Sequence, residues 1–167
     1  MSAAVYQPVL DPASGSRMSY FDKGDERVLF GDIRRERHTL SDGRALTIDP
    51  DQLMDFRALP FPDDSFQLVV FDPPHLTNAG ETSWLRAKHG VLDRATWQDD
   101  LRAGFTECFR VLRPAGTLVF KWNETQIPVR DVLALTPERP VVGHRTAKSA
   151  ATHWMLFLKP DQPEATR

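Results

Sequence analysis

The sequence predicts an α/β fold built on a mostly parallel sheet with an antiparallel terminal strand. Apolar β-type runs alternate with helical segments along the chain, which is the order that parallel sheets require. The run "FQLVVF" at 66–71 is too continuously apolar for a half-exposed strand, so it indicates a central strand covered on both faces. Two apolar runs with no helix between them, "PVVGH" and "THWMLFL", predict a terminal strand pair.

The first two β-type runs are "RVLFGDI" at 27–33 and "RALTI" at 44–48. A polar segment with the turn signal "SDG" at 41–43 separates them, and either a hairpin or two neighbouring strands would fit. A proline-rich turn then leads into the central strand at 66–71. The amino-terminal half of the domain is therefore expected to be mainly strands.

The clearest helix follows an eighteen-residue connection at 76–93. Thr96 followed by Asp99 resembles a capping box. Apolar residues then recur on one helical face, namely Trp97, Leu101, Phe105, Cys108, Phe109 and Leu112. Pro114 and Gly116 end the helix, the run "TLVFKW" predicts the next strand, and Pro128 is placed to open a short helix through "VRDVLAL".

Composition indicates one soluble domain. With 167 residues, of which 41% are hydrophobic, the chain is long enough for one core and short for two. We expect a flexible segment at 1–20, a folded domain at 21–160 and a disordered tail at 161–167. A single cysteine excludes an internal disulfide framework, and neither a signal peptide nor a membrane-length apolar run is visible, so a cytoplasmic location is expected.

The stretch "LVVFDPPHL" at 68–76 is the strongest functional signal. It ends the central strand on Asp72, and ligands of open α/β sheets bind at the carboxyl ends of the strands. Pro73 and Pro74 fix the backbone and lack N–H groups, so the carbonyl groups beside the carboxylate are held in a rigid array. A carboxylate beside an aimed carbonyl forms a pair of acceptors that suits a planar amino group.

The motif "DPPH" at 72–75 resembles the Asp/Asn-Pro-Pro-aromatic motif of S-adenosylmethionine-dependent methyltransferases that act on exocyclic amino groups, chiefly adenine N6 and cytosine N4. The runs "DFRALPFPDDSFQLVVFDPP" and "ECFRVLRPAGTLVFKW" extend the resemblance, and residues 27–159 are similar to small methyltransferases of phages and prophages. The resemblance implies a Rossmann-like class I methyltransferase fold, S-adenosylmethionine as cofactor, and adenine in DNA or RNA as the first-choice substrate.

The sequence departs from this family at two places. It has no Gly-rich first turn, so the fold is expected to be a reduced one, with "FGDIR" at 30–34 as the nearest first strand end. Gly31 and Asp32 would be a minimal substitute, or later loops or a partner subunit in a homodimer would complete the site. His75 stands where the family usually has Tyr, Phe or Trp. It would stack on or orient the base, with proton acceptance as a lesser role and a structural histidine as the alternative.

The resemblance also implies residues that hold the adenosine part of the cofactor. Asp49 would bind the ribose hydroxyls and Asp55 the adenine amino group, with a simple turn acid as the alternative for Asp49. Phe56 would lie on the adenine face, although core packing is the more ordinary role for it. Asp32, Asp72 and Asn123 complete the expected cofactor contacts.

Two further segments border the expected substrate site. The long connection at 76–93 would form a lid carrying Trp84, Arg86 and Lys88, or else a surface helical turn that uses Trp84 for core packing. After the next strand come Lys121, Trp122, Asn123 and Glu124. No metal site is expected, because no CxxC, HxH or HExxH spacing occurs. A small-molecule methyltransferase and a non-catalytic binding module remain alternatives, and the formal charge of −2 provides no global attraction to nucleic acid.

Overall fold

The computed structural model describes residues 7–40, 42–80, 83–145 and 151–161. The predicted flexible segment at residues 1–6 and the predicted disordered tail at 162–167 lie outside these ranges. The described elements are β1 (Val9–Asp11), β2 (Val28–Asp32), β3 (Glu36–Thr39), β4 (Ala45–Ile48), β5 (Gln52–Leu53), β6 (Phe66–Phe71), α1 (Trp84–His89), α2 (Trp97–Val111), β7 (Leu112–Asn123), α3 (Val129–Leu133), β8 (Val142–Arg145) and β9 (Thr152–Leu158).

Seven of the strands form one sheet in the order β5-β2-β1-β6-β7-β9-β8. The five strands from β5 to β7 run parallel, whereas β9 is antiparallel to β7 and β8 is antiparallel to β9. The predicted α/β fold, with a mostly parallel sheet and an antiparallel terminal pair, is confirmed. Among the described residues, no helix is long and apolar enough to cross a membrane.

Strand β6 is central, as its continuous apolar run predicts. It lies between β1 and β7, and its Val69 and Phe71 are fully buried. Phe71 sits in an aromatic cluster, with ring centroids 5.3 Å from Phe56, 5.7 Å from Phe105 and 5.8 Å from Phe120. Because Phe105 belongs to α2 and Phe120 to β7, this cluster packs the helix against the sheet next to the end of β6.

The first strand lies in a segment that the sequence predicts to be flexible, so that prediction is wrong for residues 7–20. Strand β1 pairs in parallel with both β2 and β6, and its Leu10 has no exposed surface. Three residues between Pro8 and Pro12 are too few to show a period, which is why the pattern misses them. The run at 27–33 therefore forms the second strand.

Strands β3 and β4 form a separate antiparallel hairpin. The run at 44–48 does become β4, but its partner is the polar segment "ERHT" and not the run at 27–33. Leu46 and Ile48 are buried on one face of the hairpin, and the turn residue Ser41 lies outside the described residues. The hairpin follows β2 and precedes β5, so it stands beside the carboxyl end of the sheet.

Helix α2 begins and ends close to its predicted bounds, but without the capping box. The Thr96 hydroxyl donates a hydrogen bond to the Asp100 carboxylate at 2.9 Å and makes no cap bond to the backbone. At the other end the chain passes directly into β7. Ala115 there adopts a positive φ of 57°, and the next residue is Gly116. The helix therefore ends before Pro114 and Gly116, and these two residues lie in a tight turn at the irregular start of β7.

Candidate active site

The carboxyl ends of β1, β2, β6 and β7 meet around one cavity of about 150 Å³. Each strand end contributes a charged residue to its lining: Asp11, Asp32, Asp72 and Lys121. Parallel strands present their carboxyl ends at the same edge of the sheet, and this arrangement places three carboxylates in one concave site.

Asp72 forms an ion pair with Lys121 inside this cavity. Residues 71 and 120 are paired in the β6–β7 ladder, so the residues that follow them are neighbours. The Lys121 ammonium Nζ lies 2.5 Å from Asp72 Oδ2. Burial raises the pKa of the Asp72 carboxyl above its ordinary value, and the charge and hydrogen bond of Lys121 oppose that rise. Pro73 and Pro74 line the same cavity.

Asp11 is a buried acid that the sequence analysis misses. Its carboxylate accepts hydrogen bonds from the Tyr20 hydroxyl at 2.8 Å and from the backbone N–H of Ala13 at 3.1 Å. Burial raises the pKa of Asp11 to about 7, although both hydrogen bonds lower it. A signal was present in the sequence, because "VLDP" at 9–12 repeats the form of "VFDP" at 70–73.

The loop after β1 takes the place of the first turn that was expected at residues 30–34. Gly15 in this loop has a φ of 50°, and its N–H donates to Asp32 Oδ2 at 2.9 Å. The Asp32 carboxylate also accepts from the N–H of Arg34, so it holds the loop against β2. Ser14 lines the cavity, and its buried hydroxyl has no hydrogen-bond partner among the described residues.

Of the residues predicted to hold the adenosine, Phe56 lines the cavity, whereas Asp49 and Asp55 do not. Asp55 pairs with Arg57 at 2.6 Å, and the hydrogen bonds from that guanidinium lower the pKa of the Asp55 carboxyl. Asp49 pairs with Arg35 at 3.1 Å and borders a second hollow. Asp49 directly follows the β3–β4 hairpin and Asp55 lies in the turn after β5, so neither carboxylate lines the cavity.

Two histidines pack against each other behind the motif. The ring centroids of His75 and His89 are 4.8 Å apart, and the edge of His75 meets Trp122 at 6.3 Å. Burial, followed by the nearby lysines, lowers the pKa of His75 to about 4; burial and then the His75 ring lower that of His89 to about 3. The lowered pKa values make both rings weak proton acceptors. His89 lines the cavity whereas His75 does not, so the stacking of His75 on a base stays a prediction.

Residues 122–124 lie outside the cavity lining. Trp122 is fully buried, and its indole N–H donates to the Ile127 carbonyl at 3.0 Å, so it is a core residue and not a substrate contact. Asn123 donates to the Thr152 hydroxyl at 3.1 Å. Glu124 lies 3.0 Å from Arg145 and 2.9 Å from His153. These polar residues join the end of β7 to the terminal strands.

The connection after the motif carries the short helix α1, which has no buried residue. Trp84 is 52% exposed, contrary to the alternative that it packs in the core. Arg86 donates to the Ala79 carbonyl, and Lys88 Nζ lies 5.3 Å from the centroid of the Trp84 ring. Gly90 ends the helix with a φ of 71°, where a Cβ would lie 3.2 Å from Pro74, so the end of α1 lies against the motif.

Solved structures share this architecture at low sequence identity. An S-adenosylmethionine-dependent methyltransferase of Methanosarcina mazei has a TM-score of 0.55 and 10% identity over 96% of this chain and 95% of that one. A TehB-like S-adenosylmethionine-dependent methyltransferase of Corynebacterium glutamicum has values of 0.55 and 12% over 92% and 81%. A protein of Pyrococcus horikoshii has 0.54 and 14% over 90% and 81%. The chain has the class I methyltransferase fold.

No model of a known protein family matches the sequence, and no curated protein sequence matches it. At these identities the shared feature is the fold, so the activity has to be argued from the cavity. Among the described residues, no group of three or more His, Cys, Asp or Glu side chains is arranged to hold a metal ion.

Proposed function

We propose that the protein is an S-adenosylmethionine-dependent methyltransferase that acts on an exocyclic amino group, with adenine in DNA or RNA as the first-choice substrate. One observation carries the proposal: an amine, the Lys121 ammonium, already rests on Asp72 at 2.5 Å inside a cavity of the class I methyltransferase fold. The "DPPH" motif and its resemblance to amino-group methyltransferases support the same assignment.

The residues around the cavity fit a cationic, nucleoside-containing cofactor. Asp11 is a buried carboxylate whose raised pKa would return toward its ordinary value beside an ammonium group. The unpartnered Ser14 hydroxyl can donate to or accept from a bound molecule, and the Phe56 ring offers an aromatic face. When bound, S-adenosylmethionine supplies the electrophilic methyl group.

Space for both ligands requires the adjoining hollow. The cavity of about 150 Å³ is smaller than a typical ligand pocket, which is roughly 300 to 1,000 Å³. It shares Gly15, Ser16, Met18 and Lys88 with a neighbouring hollow of about 1100 Å³. The Tyr20 hydroxyl on Asp11 occupies a position that a bound ligand would take over. Lys121 contacts Oδ2 of Asp72, so a substrate amine would bind at Oδ1 beside it.

Asp72 has the central chemical role in this proposal. Its carboxylate and the Pro73 carbonyl would accept the two N–H bonds of the target amine, which aims the nitrogen lone pair at the methyl carbon. Methyl transfer would form the N–C bond and break the S–C bond of the sulfonium, whose electron pair would return to sulfur, and the nitrogen would have to lose a proton. We infer that Asp72 receives it, because the lowered pKa values of His75 and His89 make both rings weaker acceptors. A base within duplex DNA would have to be flipped out.

The test is methyl transfer from tritiated S-adenosylmethionine to DNA, RNA and a metabolite pool. We expect incorporation into nucleic acid, and loss of that incorporation in Asp72→Ala with cofactor affinity held within about tenfold, or ~1.4 kcal/mol. Asp72→Asn is the matched variant, since it keeps the shape and removes the charge. Transfer by Asp72→Ala at the rate of the unmodified protein would contradict the role of Asp72.

Two alternatives correspond to other outcomes of the same experiment. Incorporation only into small molecules would identify a small-molecule methyltransferase, a reading favoured by the net charge of −2. Absence of cofactor binding in calorimetry at millimolar concentration would identify a non-catalytic module, which the small volume beside Asp72 favours.

A further inference from the structure

We propose that the β3–β4 hairpin and helix α1 form a groove for a single-stranded polynucleotide, in which Trp84 stacks on the base next to the target nucleotide. This inference rests on the proposed function, because it identifies the segment that holds the strand around the reacting base. It goes beyond that function by assigning a binding role to the hairpin and by placing Trp84 outside the reaction cavity.

The groove is the hollow of about 1100 Å³ that adjoins the Asp72 cavity. The loop after β1, the β4 side of the hairpin and α1 form its walls, through residues such as Arg17, Thr47 and Trp84. Lys88 and the loop residues Gly15 and Ser16 line both spaces. A strand lying in the groove can therefore direct the amino-bearing edge of one base into the cavity of about 150 Å³, while the rest of that nucleotide and its neighbour stay in the groove.

Trp84 is positioned to stack on that neighbour. Its indole is 52% exposed on a helix with no buried residue, so core packing does not explain it. Trp84 lines the large hollow on one side and a further hollow of about 690 Å³ on the other, but not the cavity that holds Asp72. An exposed aromatic face beside a groove is how proteins hold unpaired bases.

Cations stand around the same groove. Arg44 at the hairpin turn, Lys23 and Lys88 all line it. The Arg44 side chain is 78% exposed, and its guanidinium reaches Asp42 at 2.6 Å. Arg17 and Arg35 are bound to Asp51 and Asp49. The local positive charge is therefore modest, so base stacking has to supply much of the affinity.

The test is binding of a fluorescent single-stranded oligonucleotide of about ten nucleotides, measured by anisotropy without cofactor, with DNA and RNA as separate arms. We expect Trp84→Ala to weaken binding by about tenfold, with no change in the affinity for a mononucleotide. We expect Arg44→Ala to weaken oligonucleotide binding and to lower the slope of log affinity against log salt by roughly 0.7.

Arg27→Ala is the matched control. Like Arg44, Arg27 pairs with an aspartate two residues before it and is 78% exposed. It lies at the amino end of β2, however, and so on the side of the sheet away from the groove. Equal losses of oligonucleotide affinity in Arg27→Ala and Arg44→Ala would overturn the groove. Unchanged affinity in Trp84→Ala would also overturn it, and so would tighter binding of duplexes than of single strands. Thermal melting of each variant verifies that it is folded.

The groove and the proposed function fail in distinguishable ways. Methyl transfer to DNA or RNA by a protein whose oligonucleotide binding is unchanged in Trp84→Ala would overturn the groove and leave the proposed function intact. Oligonucleotide binding that depends on Trp84, in a protein that transfers no methyl group, would support the groove and contradict the proposed function.

Discussion

The Asp72 carboxylate can take a proton from the amine only while it is ionised, and its surroundings oppose ionisation. Burial raises its pKa, because a charged carboxylate loses hydration in the cavity. Lys121 lies on the same carboxylate at 2.5 Å and counteracts this rise. A protonated Asp72 would donate a hydrogen bond where the reaction needs an acceptor. Lys121 therefore has a positioning role in the proposed mechanism.

Lys121→Met should move the acid limb of the pH–rate profile for methyl transfer to higher pH. Without the ammonium, only the charge of Lys88 still opposes the effect of burial, so the pKa of Asp72 should rise further. Lys121→Arg restores the charge and should return the limb toward its original position. Infrared titration of the carboxyl groups measures the same shift without turnover. An unchanged acid limb in Lys121→Met would show that the pKa of Asp72 does not depend on its ion pair with Lys121.

Asp11 should make the fold less stable as the pH rises. Its pKa of about 7 lies above the ordinary value of 3.8, so its contribution is fully present below about pH 4 and is lost as the pH rises through 7. The loss is on the order of 1 kcal/mol per pH unit between these values. Asp11→Asn should flatten this dependence in urea unfolding between about pH 4 and pH 8.

The control for this experiment is Asp99→Asn, since the Asp99 side chain is 82% exposed on α2. Its pH dependence should follow that of the unmodified protein. A slope in Asp11→Asn as steep as in the unmodified protein would assign the pH dependence to other groups, of which Asp72 is one whose pKa is also raised.

At the scale of elements, α2 lies against the sheet directly behind the cavity, and Gly104 permits the approach. A Cβ at Gly104 would lie 2.7 Å from Phe71 Cζ and 2.8 Å from Phe56 Cδ2. Phe71 is the last residue of β6 and is fully buried, while Phe56 lines the cavity. The distance between this helix and the sheet thus determines where one wall of the site stands.

Gly104→Ala should destabilise the protein by about 1 kcal/mol. Alanine improves helix propensity by about 1 kcal/mol, but overpacking against rings with little room to move costs roughly 1 to 3 kcal/mol. Chemical denaturation measures the net change, and calorimetry should show weaker cofactor binding because Phe56 is displaced. Gly80→Ala is the control, as nothing lies within 4 Å of its added Cβ. If Gly104→Ala stabilised the protein, the Phe71 and Phe56 rings would have to move aside at little cost in free energy.

For the whole molecule, β1 is important because of its position inside the sheet, although it is only a short strand. It lies third in the seven-stranded sheet, between β2 and β6, and its last residue is Asp11. Removing it would separate β2 and β5 from the rest of the sheet and expose both neighbouring edges. The domain therefore begins before residue 21, the boundary that composition alone predicts.

A chain that lacks residues 1–20 should not unfold cooperatively, because the sheet would be divided at its centre. Circular dichroism during thermal unfolding is the measurement, with the full chain as reference. Leu10→Ala tests the same strand without truncation and should cost ~2 to 5 kcal/mol, as is usual for a fully buried leucine. A truncated chain with an unchanged midpoint would show that β1 is dispensable.

Local pattern was sufficient for most of the sheet and for the centre of the site. The apolar run of β6, the helical period of α2 and the terminal pair β8–β9 are all visible in the sequence, because each element is long enough to show its own period. Asp72 was found in the same way, because it ends the most apolar strand. Lys121 was expected at the cleft for its place after a strand, although its ion pair with Asp72 was not foreseen.

Pairing between distant segments decided the rest. Strand β1 and the partner of β4 depend on which strands lie side by side, and neither is encoded by a local period. Whether an acid faces the cavity also depends on its neighbours, so Asp11 enters the site while Asp55 is bound to Arg57 and Asp49 to Arg35. Chain composition and periodicity thus determined the layers and the position of the Asp72 carboxylate at the cavity. Long-range packing alone selected the other side chains that surround it, because a cavity exists only where separate strand ends converge.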